Sequence, residues 1–145
     1  MPYTAATGSD TRLSESERLS MLEPPNGDVD VVLDTDTYNE IDDQFALVYA
    51  LLSPALEVES VYAAPFHNHQ SSGPGDGMEK SYDEILRLLE LLERPDAEEF
   101  ALRGAERYMD DVAGPVENPA TADLIRRARD RDDDPLYVVS IGAPT

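Results

Sequence analysis

Apolar and polar positions along the chain switch between two periods, which predicts strands that alternate with helices. Short apolar or alternating runs predict strands at 29–34, 56–63, 98–102 and 136–141. Apolar positions at helical spacing predict helices at 41–52, at 79–93, and from a cap at Asn118 or Thr121 to about 131. This order is typical of an α/β fold with a mainly parallel open sheet and flanking helices.

The chain divides into a polar leader, residues 1–27, and an α/β domain, residues 28–145. The leader carries one weak helix that Ser14 to Glu17 would cap, and we expect it to be poorly ordered. A parallel sheet needs helices on both faces, and three helices cover few strands. We therefore expect the domain to be the amino-terminal part of a larger α/β domain.

Composition narrows the possible partners and the location of the protein. The net charge of −20 argues against nucleic acids and anionic membranes as partners, because both would be repelled. The sequence has no cysteine and only one lysine, Lys80. Abundant aspartate with almost no lysine favours a halophilic protein, whose charges concentrated salt would screen. The start lacks a signal-peptide pattern and no apolar run could cross a membrane, so we expect a cytoplasmic protein.

Four carboxylates crowd the end of the first predicted strand and the start of the first predicted helix: Asp34, Asp36, Asp42 and Asp43. In open α/β sheets, ligands bind at the carboxyl ends of the strands. Clustered negative charges repel one another, and a bound cation or a raised pKa relieves that repulsion. Oxygen ligands favour a hard divalent cation, Ca²⁺ or Mg²⁺.

Two interpretations of this acidic run compete with a third that uses more of the chain. An EF-hand loop is excluded, because Asn39 and Phe45 stand where its Gly and Glu would be. The strand that ends in Asp34-Thr35-Asp36 also resembles the nucleophile motif of haloacid-dehalogenase-like, Mg²⁺-dependent phosphatases. There, Asp34 would attack phosphorus and Asp36 would serve as the acid and base, but Lys80 precedes the second motif instead of following it.

The third interpretation rests on three segments in a fixed order. Asp34-Thr35-Asp36 followed by Asp42-Asp43-Gln44-Phe45-Ala46-Leu47 resembles the amino-terminal signature of the inosine/uridine-preferring nucleoside hydrolases. The loop with Asn68, which leads into a leucine-rich helix, and the turn Gly142-Ala143-Pro144-Thr145 follow in the family's order. The spacing departs from the usual motif, because five residues separate Asp36 from the aspartate pair.

The resemblance implies a Rossmann-like fold and calcium-dependent hydrolysis of the N-glycosidic bond of a ribonucleoside or related N-riboside, as in purine or pyrimidine salvage. The family's carboxyl half supplies a further calcium-binding Asp and a neighbouring His. A truncated, non-catalytic calcium-binding fragment is therefore an alternative to an active glycosidase. The partner would be a small nucleoside, and a homo-oligomer is possible. The resemblance assigns the general base to Asp36, sugar contacts to Asp42 and Asn68, and calcium ligation to Asp36, Asp43, the Thr145 carbonyl and, as a further candidate, Asp34.

Overall fold

The computed structural model describes residues 13–109, 116–131 and 135–144. A short helix, α1 (Glu15–Ser20), comes first, and its capping box at Ser14 and Glu17 matches the predicted cap. The elements that follow in chain order are β1 (Val29–Thr35), α2 (Ile41–Leu52), β2 (Leu56–Ala63), α3 (Pro74–Leu91), α4 (Ala97–Phe100), β3 (Ala101–Arg103), α5 (Pro119–Arg129) and β4 (Leu136–Ser140). The predicted α/β fold with a parallel open sheet and flanking helices is confirmed.

The four strands form one parallel sheet in the order β3-β2-β1-β4. From β1 the chain crosses to β2 and β3 on one side, and it then returns past β1 to place β4 on the other side. The strand order thus reverses between β1 and β4. In open α/β sheets, the crevice at such a switch point is where ligands bind.

Helices cover the two faces of the sheet unequally. On one face, Leu33 of β1 and Val61 of β2 pack in the main core with Leu47 of α2 and Ile85 and Leu89 of α3. On the other face, Val32 and Tyr62 pack in a smaller cluster with residues of α5, Ala120 among them. Val32 and Leu33 are neighbours in β1, so each points to the opposite face, as the pleat of a strand requires.

The helix that is anchored on this smaller face, α5, is held by ion pairs as well as by apolar contacts. Arg127 Nε donates to Asp123 Oδ2 at 2.6 Å, and Arg127 Nη1 donates to Glu59 Oε2 on β2 at 2.8 Å. The Tyr62 hydroxyl also donates to Asp123, at 2.9 Å. Arg131 pairs with Glu59 and with Asp30 of β1. These charged side chains are partly buried, and the network fixes α5 against the central strands.

The largest departures from the predicted elements are at the start of α3 and at residues 98–102. The long helix α3 begins at Pro74 instead of at residue 79, because Pro is well suited to the first helical position and Gly77 lets the backbone pack closely. A Cβ at Gly77 would lie 2.0 Å from the carbonyl oxygen of Phe66. The predicted strand at 98–102 is instead a helical turn, α4, followed by the three-residue strand β3.

Most of the apolar positions that predicted α2 face away from the sheet, although Val48 packs against the main core. Ile41, Phe45 and Leu52 are 69%, 70% and 67% exposed. The sheet-facing side of α2 instead buries Asp43 and Leu47, together with Ala50. Helical spacing was therefore correct for the element but did not identify its buried face.

Strand β4 lies at the edge of the sheet and is poorly covered. Val138 and Val139 point to opposite faces and are 54% and 41% exposed. No helix in the described part of the chain is long and apolar enough to span a bilayer.

Candidate functional site

An acidic groove lies at the switch point between the carboxyl ends of β1 and β4. It has a volume of about 340 Å³ and is open to solvent. The loop from Asp36 to Glu40 turns directly after β1, where the Asn39 amide donates to the Asp36 carbonyl at 2.7 Å, and α2 then begins at Ile41. The lining residues come from β1–α2, from α2 and from the turn after β4: Asp36, Asn39, Glu40, Asp42, Asp43, Ala46, Ile141 and Gly142.

Asp43 is buried in the wall of the groove, with 8% of its surface exposed. Thr35 Oγ1 lies 3.0 Å from Asp43 Oδ1 and 3.1 Å from Thr37 Oγ1. An ionised carboxylate only accepts, so Thr35 donates to Asp43 and Thr37 donates to Thr35. Burial raises the pKa of Asp43 to about 6, and the negative charges of Asp36, Asp42 and Glu40 add to this rise against the Thr35 hydrogen bond.

Asp36 is the second buried carboxylate, with 7% of its surface exposed. Asn39 Nδ2 donates to Asp36 Oδ2 at 2.9 Å. Burial raises the pKa of Asp36, and the charge of Asp42 adds to the rise, whereas the hydrogen bond from Asn39 opposes it. The turn after β4 packs closely against Asp36. A Cβ at Gly142 would lie 2.9 Å from the Asp36 backbone nitrogen and 3.2 Å from Asp36 Oδ1.

Asn68 reaches the groove indirectly. Its Nδ2 donates to Asn39 Oδ1 at 2.6 Å, and its Oδ1 accepts from the Gln70 amide at 2.8 Å. The side chain is therefore engaged with the loop that carries Asp36. The resemblance assigns Asn68 a direct sugar contact, and that role stays a prediction.

Asp34 lies apart from the groove. Its side chain accepts from Ser140 Oγ at 2.7 Å and lines a separate cavity of about 130 Å³ on the α5 side of the sheet, with Tyr62, Thr121 and Leu124. Burial raises the pKa of Asp34, with a further contribution from Asp36, while Ser140 opposes the rise. The structure therefore does not place this carboxylate with Asp36 and Asp43 in one ligand set, and its assignment as a metal ligand gains no support.

The remaining predicted residues are exposed or lie outside the described residues. Asp42 is exposed in the first turn of α2 and lines the groove, where a sugar hydroxyl could reach it. His67 and His69 are exposed on the loop before α3. Thr145, predicted to offer its carbonyl to calcium, lies outside the described residues.

The donor set around Asp36 and Asp43 fits a hard cation in its chemistry. Both residues offer carboxylate oxygens, and neither is paired with a lysine or arginine among the described residues. Buried carboxylates without a basic partner are costly unless a cation or a proton neutralises them. Within the described ranges, no three His, Cys, Asp or Glu side chains converge as a metal-binding group. A cation here would thus need backbone, water or ligand oxygens besides these two carboxylates.

Three groups at the site were missed by sequence reasoning: the Thr35 hydroxyl, the Asn39 amide and the close approach of Gly142. Thr35 and Asn39 stand within the acidic run, where short polar residues are common in turns whether or not they serve a site. The contact of Gly142 joins segments more than a hundred residues apart, and no local pattern reports it.

Comparisons with known proteins gave no match: no family model, no curated protein and no solved structure is significantly similar to the chain.

Proposed function

We propose that the chain carries the metal and sugar site of a calcium-dependent N-ribosyl hydrolase, which cleaves the N-glycosidic bond of a ribonucleoside or related N-riboside. The observation that carries the proposal is the pair of buried carboxylates, Asp36 and Asp43, at the switch point of a parallel sheet. The resemblance of the acidic run to the nucleoside hydrolase signature supports the same site.

The residues of the groove suit a reaction that develops positive charge on a sugar. An oxocarbenium-like sugar is stabilised by nearby carboxylates, and Asp42 and Asp43 supply negative charge at one wall. Asp36 and Asp43 would hold a Ca²⁺, which would supply Lewis-acid activation of a water. Asp36, as general base, accepts a proton from the water that attacks the anomeric carbon. The new C–O bond forms as the C–N bond breaks, and the leaving base keeps the bonding electron pair and takes a proton from solvent. The exposed Asp42 orients a ribose hydroxyl by accepting a hydrogen bond from it.

Among the described residues, β4 is an edge strand with exposed apolar side chains, which supports a larger sheet. Val138 and Val139 are apolar and about half exposed, although strands of parallel sheets are normally covered on both faces. We propose a Rossmann-like nucleoside hydrolase fold, to which residues 28–145 contribute the amino-terminal part.

The phosphatase is less well supported by the geometry. It requires Asp34 and Asp36 to act on one phosphate with a lysine nearby. Asp34 accepts a hydrogen bond from Ser140 at the separate cavity. Lys80 Nζ donates to Asp76 at 2.8 Å and to the Gln70 carbonyl at 2.7 Å.

Calcium titration followed by an assay of free base release from nucleosides tests the proposal. Wild-type protein should bind Ca²⁺, and Asp36→Asn and Asp43→Asn should each weaken binding tenfold or more. Asp83→Asn, an exposed carboxylate on α3, is the matched control and should bind normally. Binding without base release supports the non-catalytic fragment. Absence of calcium binding, or release of phosphate from phosphate esters that is lost in Asp34→Asn, would contradict the proposal.

A further inference from the structure

Asn39 uses every polar group it has on internal contacts. Its side-chain Nδ2 donates to Asp36 Oδ2 at 2.9 Å, and its backbone amide donates to the Asp36 carbonyl at 2.7 Å. Its side-chain Oδ1 accepts from Asn68 Nδ2 at 2.6 Å, and its carbonyl accepts from Gln70 Nε2 at 2.8 Å. A residue that only closed a turn would need the backbone bond to Asp36 and none of the other three.

These contacts join two loops that are far apart in the sequence. The loop after β1 carries Asp36 and Asn39, and the loop after β2 carries Asn68 and Gln70. The second loop is itself held by α3, because Lys80 Nζ donates to the Gln70 carbonyl at 2.7 Å. A chain of hydrogen bonds therefore runs from α3 to the carboxylate of Asp36.

We propose that Asn39 is a positioning residue that fixes the Asp36 carboxylate, and that Asn68 acts on the site through Asn39. The inference deepens the proposed function and rests on it only in so far as Asp36 is a calcium ligand. The two oxygens of Asp36 are thereby distinguished. Oδ2 is held by Asn39, whereas Oδ1 lies towards Gly142, which lines the groove together with Asp36.

The physical basis is the freedom of the carboxylate to rotate about its terminal bond. A buried carboxylate with one oxygen held has one orientation, so its other oxygen is already aimed at a ligand. Without Asn39, that orientation would have to be fixed when the cation binds, at a cost in affinity. Groups that orient a metal ligand typically contribute about 10–100-fold to metal affinity.

A double-mutant cycle on calcium affinity, measured by titration calorimetry, tests the inference. Asn39→Ala should weaken Ca²⁺ binding about tenfold or more. Asn68→Ala should weaken it by less, and the double variant should bind no worse than Asn39→Ala alone. Asn26→Ala, an exposed amide in another loop, is the matched control and should leave affinity unchanged. Equal thermal unfolding temperatures would show that the loss is not one of folding.

Two results would overturn the inference: unchanged affinity in Asn39→Ala, or additive losses in the double variant, which would mean that Asn68 acts independently. If wild-type protein binds no calcium, the proposed function fails, and hydrogen exchange still decides the positioning role. In that case Asn39→Ala should accelerate amide exchange in both loops, at 36–40 and at 68–70. Exchange that stays as slow as in wild type and in Asn26→Ala would refute the inference.

Discussion

Replacement of Asp43 by Asn should stabilise the calcium-free protein above neutral pH. Burial raises the pKa of Asp43 from 3.8 to about 6, so the folded protein resists an ionisation that the unfolded chain permits. One pKa unit corresponds to about 1.4 kcal/mol, so ionised Asp43 destabilises the fold by about 3 kcal/mol. Because the folded-state pKa is the higher one, protonated Asp43 makes its full favourable contribution to stability below about pH 4. That contribution is lost as the pH rises through 6. The new amide oxygen can still accept from Thr35, which lies 3.0 Å from Asp43 Oδ1.

Urea unfolding with a calcium chelator measures this effect directly. At about pH 8, Asp43→Asn should have a free energy of unfolding up to about 3 kcal/mol above that of wild type, and at about pH 4 the gain should vanish. Asp83→Asn, which changes the net charge equally at an exposed position, should alter stability by less than about 0.5 kcal/mol at either pH. A lower free energy of unfolding for Asp43→Asn than for wild type at about pH 8 would refute the view that ionised Asp43 destabilises the folded protein.

Three further predictions concern the anchoring of α5, the packing of the site and its occupancy. Arg127→Met should destabilise the protein by about 2 kcal/mol in thermal unfolding, because Glu59 loses a guanidinium partner, whereas Arg129→Met, on an exposed side chain, should have little effect. Gly142→Ala should lower the free energy of unfolding by about 1–3 kcal/mol and weaken calcium binding, because the new Cβ would lie 2.9 Å from the Asp36 backbone nitrogen. Gly73→Ala is the control, since a Cβ there meets nothing within 4 Å, and equal calcium affinity in the two variants would contradict the prediction. Calcium at a hundredfold excess over its dissociation constant should stabilise wild type by about 2.7 kcal/mol, and an unshifted unfolding curve would count against a site.

The order of elements was predictable from the sequence because each has a strong local signal. The bounds predicted for α2 and β2 match the structure, since Pro54 ends the helix and the alternating run that follows defines the strand. Less of α3 was predictable, because Gly75 and Gly77 in its first turns resemble a loop. Those glycines lie in a helix because its backbone packs against Phe66 and Glu106, which is a tertiary effect.

Side-chain direction was harder to predict than element type. Helix α2 is apolar on more than one side, so periodicity could not show that Phe45 faces outward while Asp43 faces the sheet. The acidic run predicted a site at the carboxyl edge of the sheet, where the structure has a groove lined by Asp36, Asp42 and Asp43, but it did not separate Asp34 from the others. That separation follows from the pleat of β1, which turns Asp34 towards α5 and Thr35 towards Asp43.

Crystals grown in abundant calcium would show whether Asp36 and Asp43 hold a cation. Anomalous difference density collected at long wavelength locates a bound cation without reference to activity. We expect a peak in the groove at the switch point, within about 2.3–2.6 Å of carboxylate oxygens of both Asp36 and Asp43. A groove without anomalous density, in which both carboxylates contact only water or protein, would contradict it.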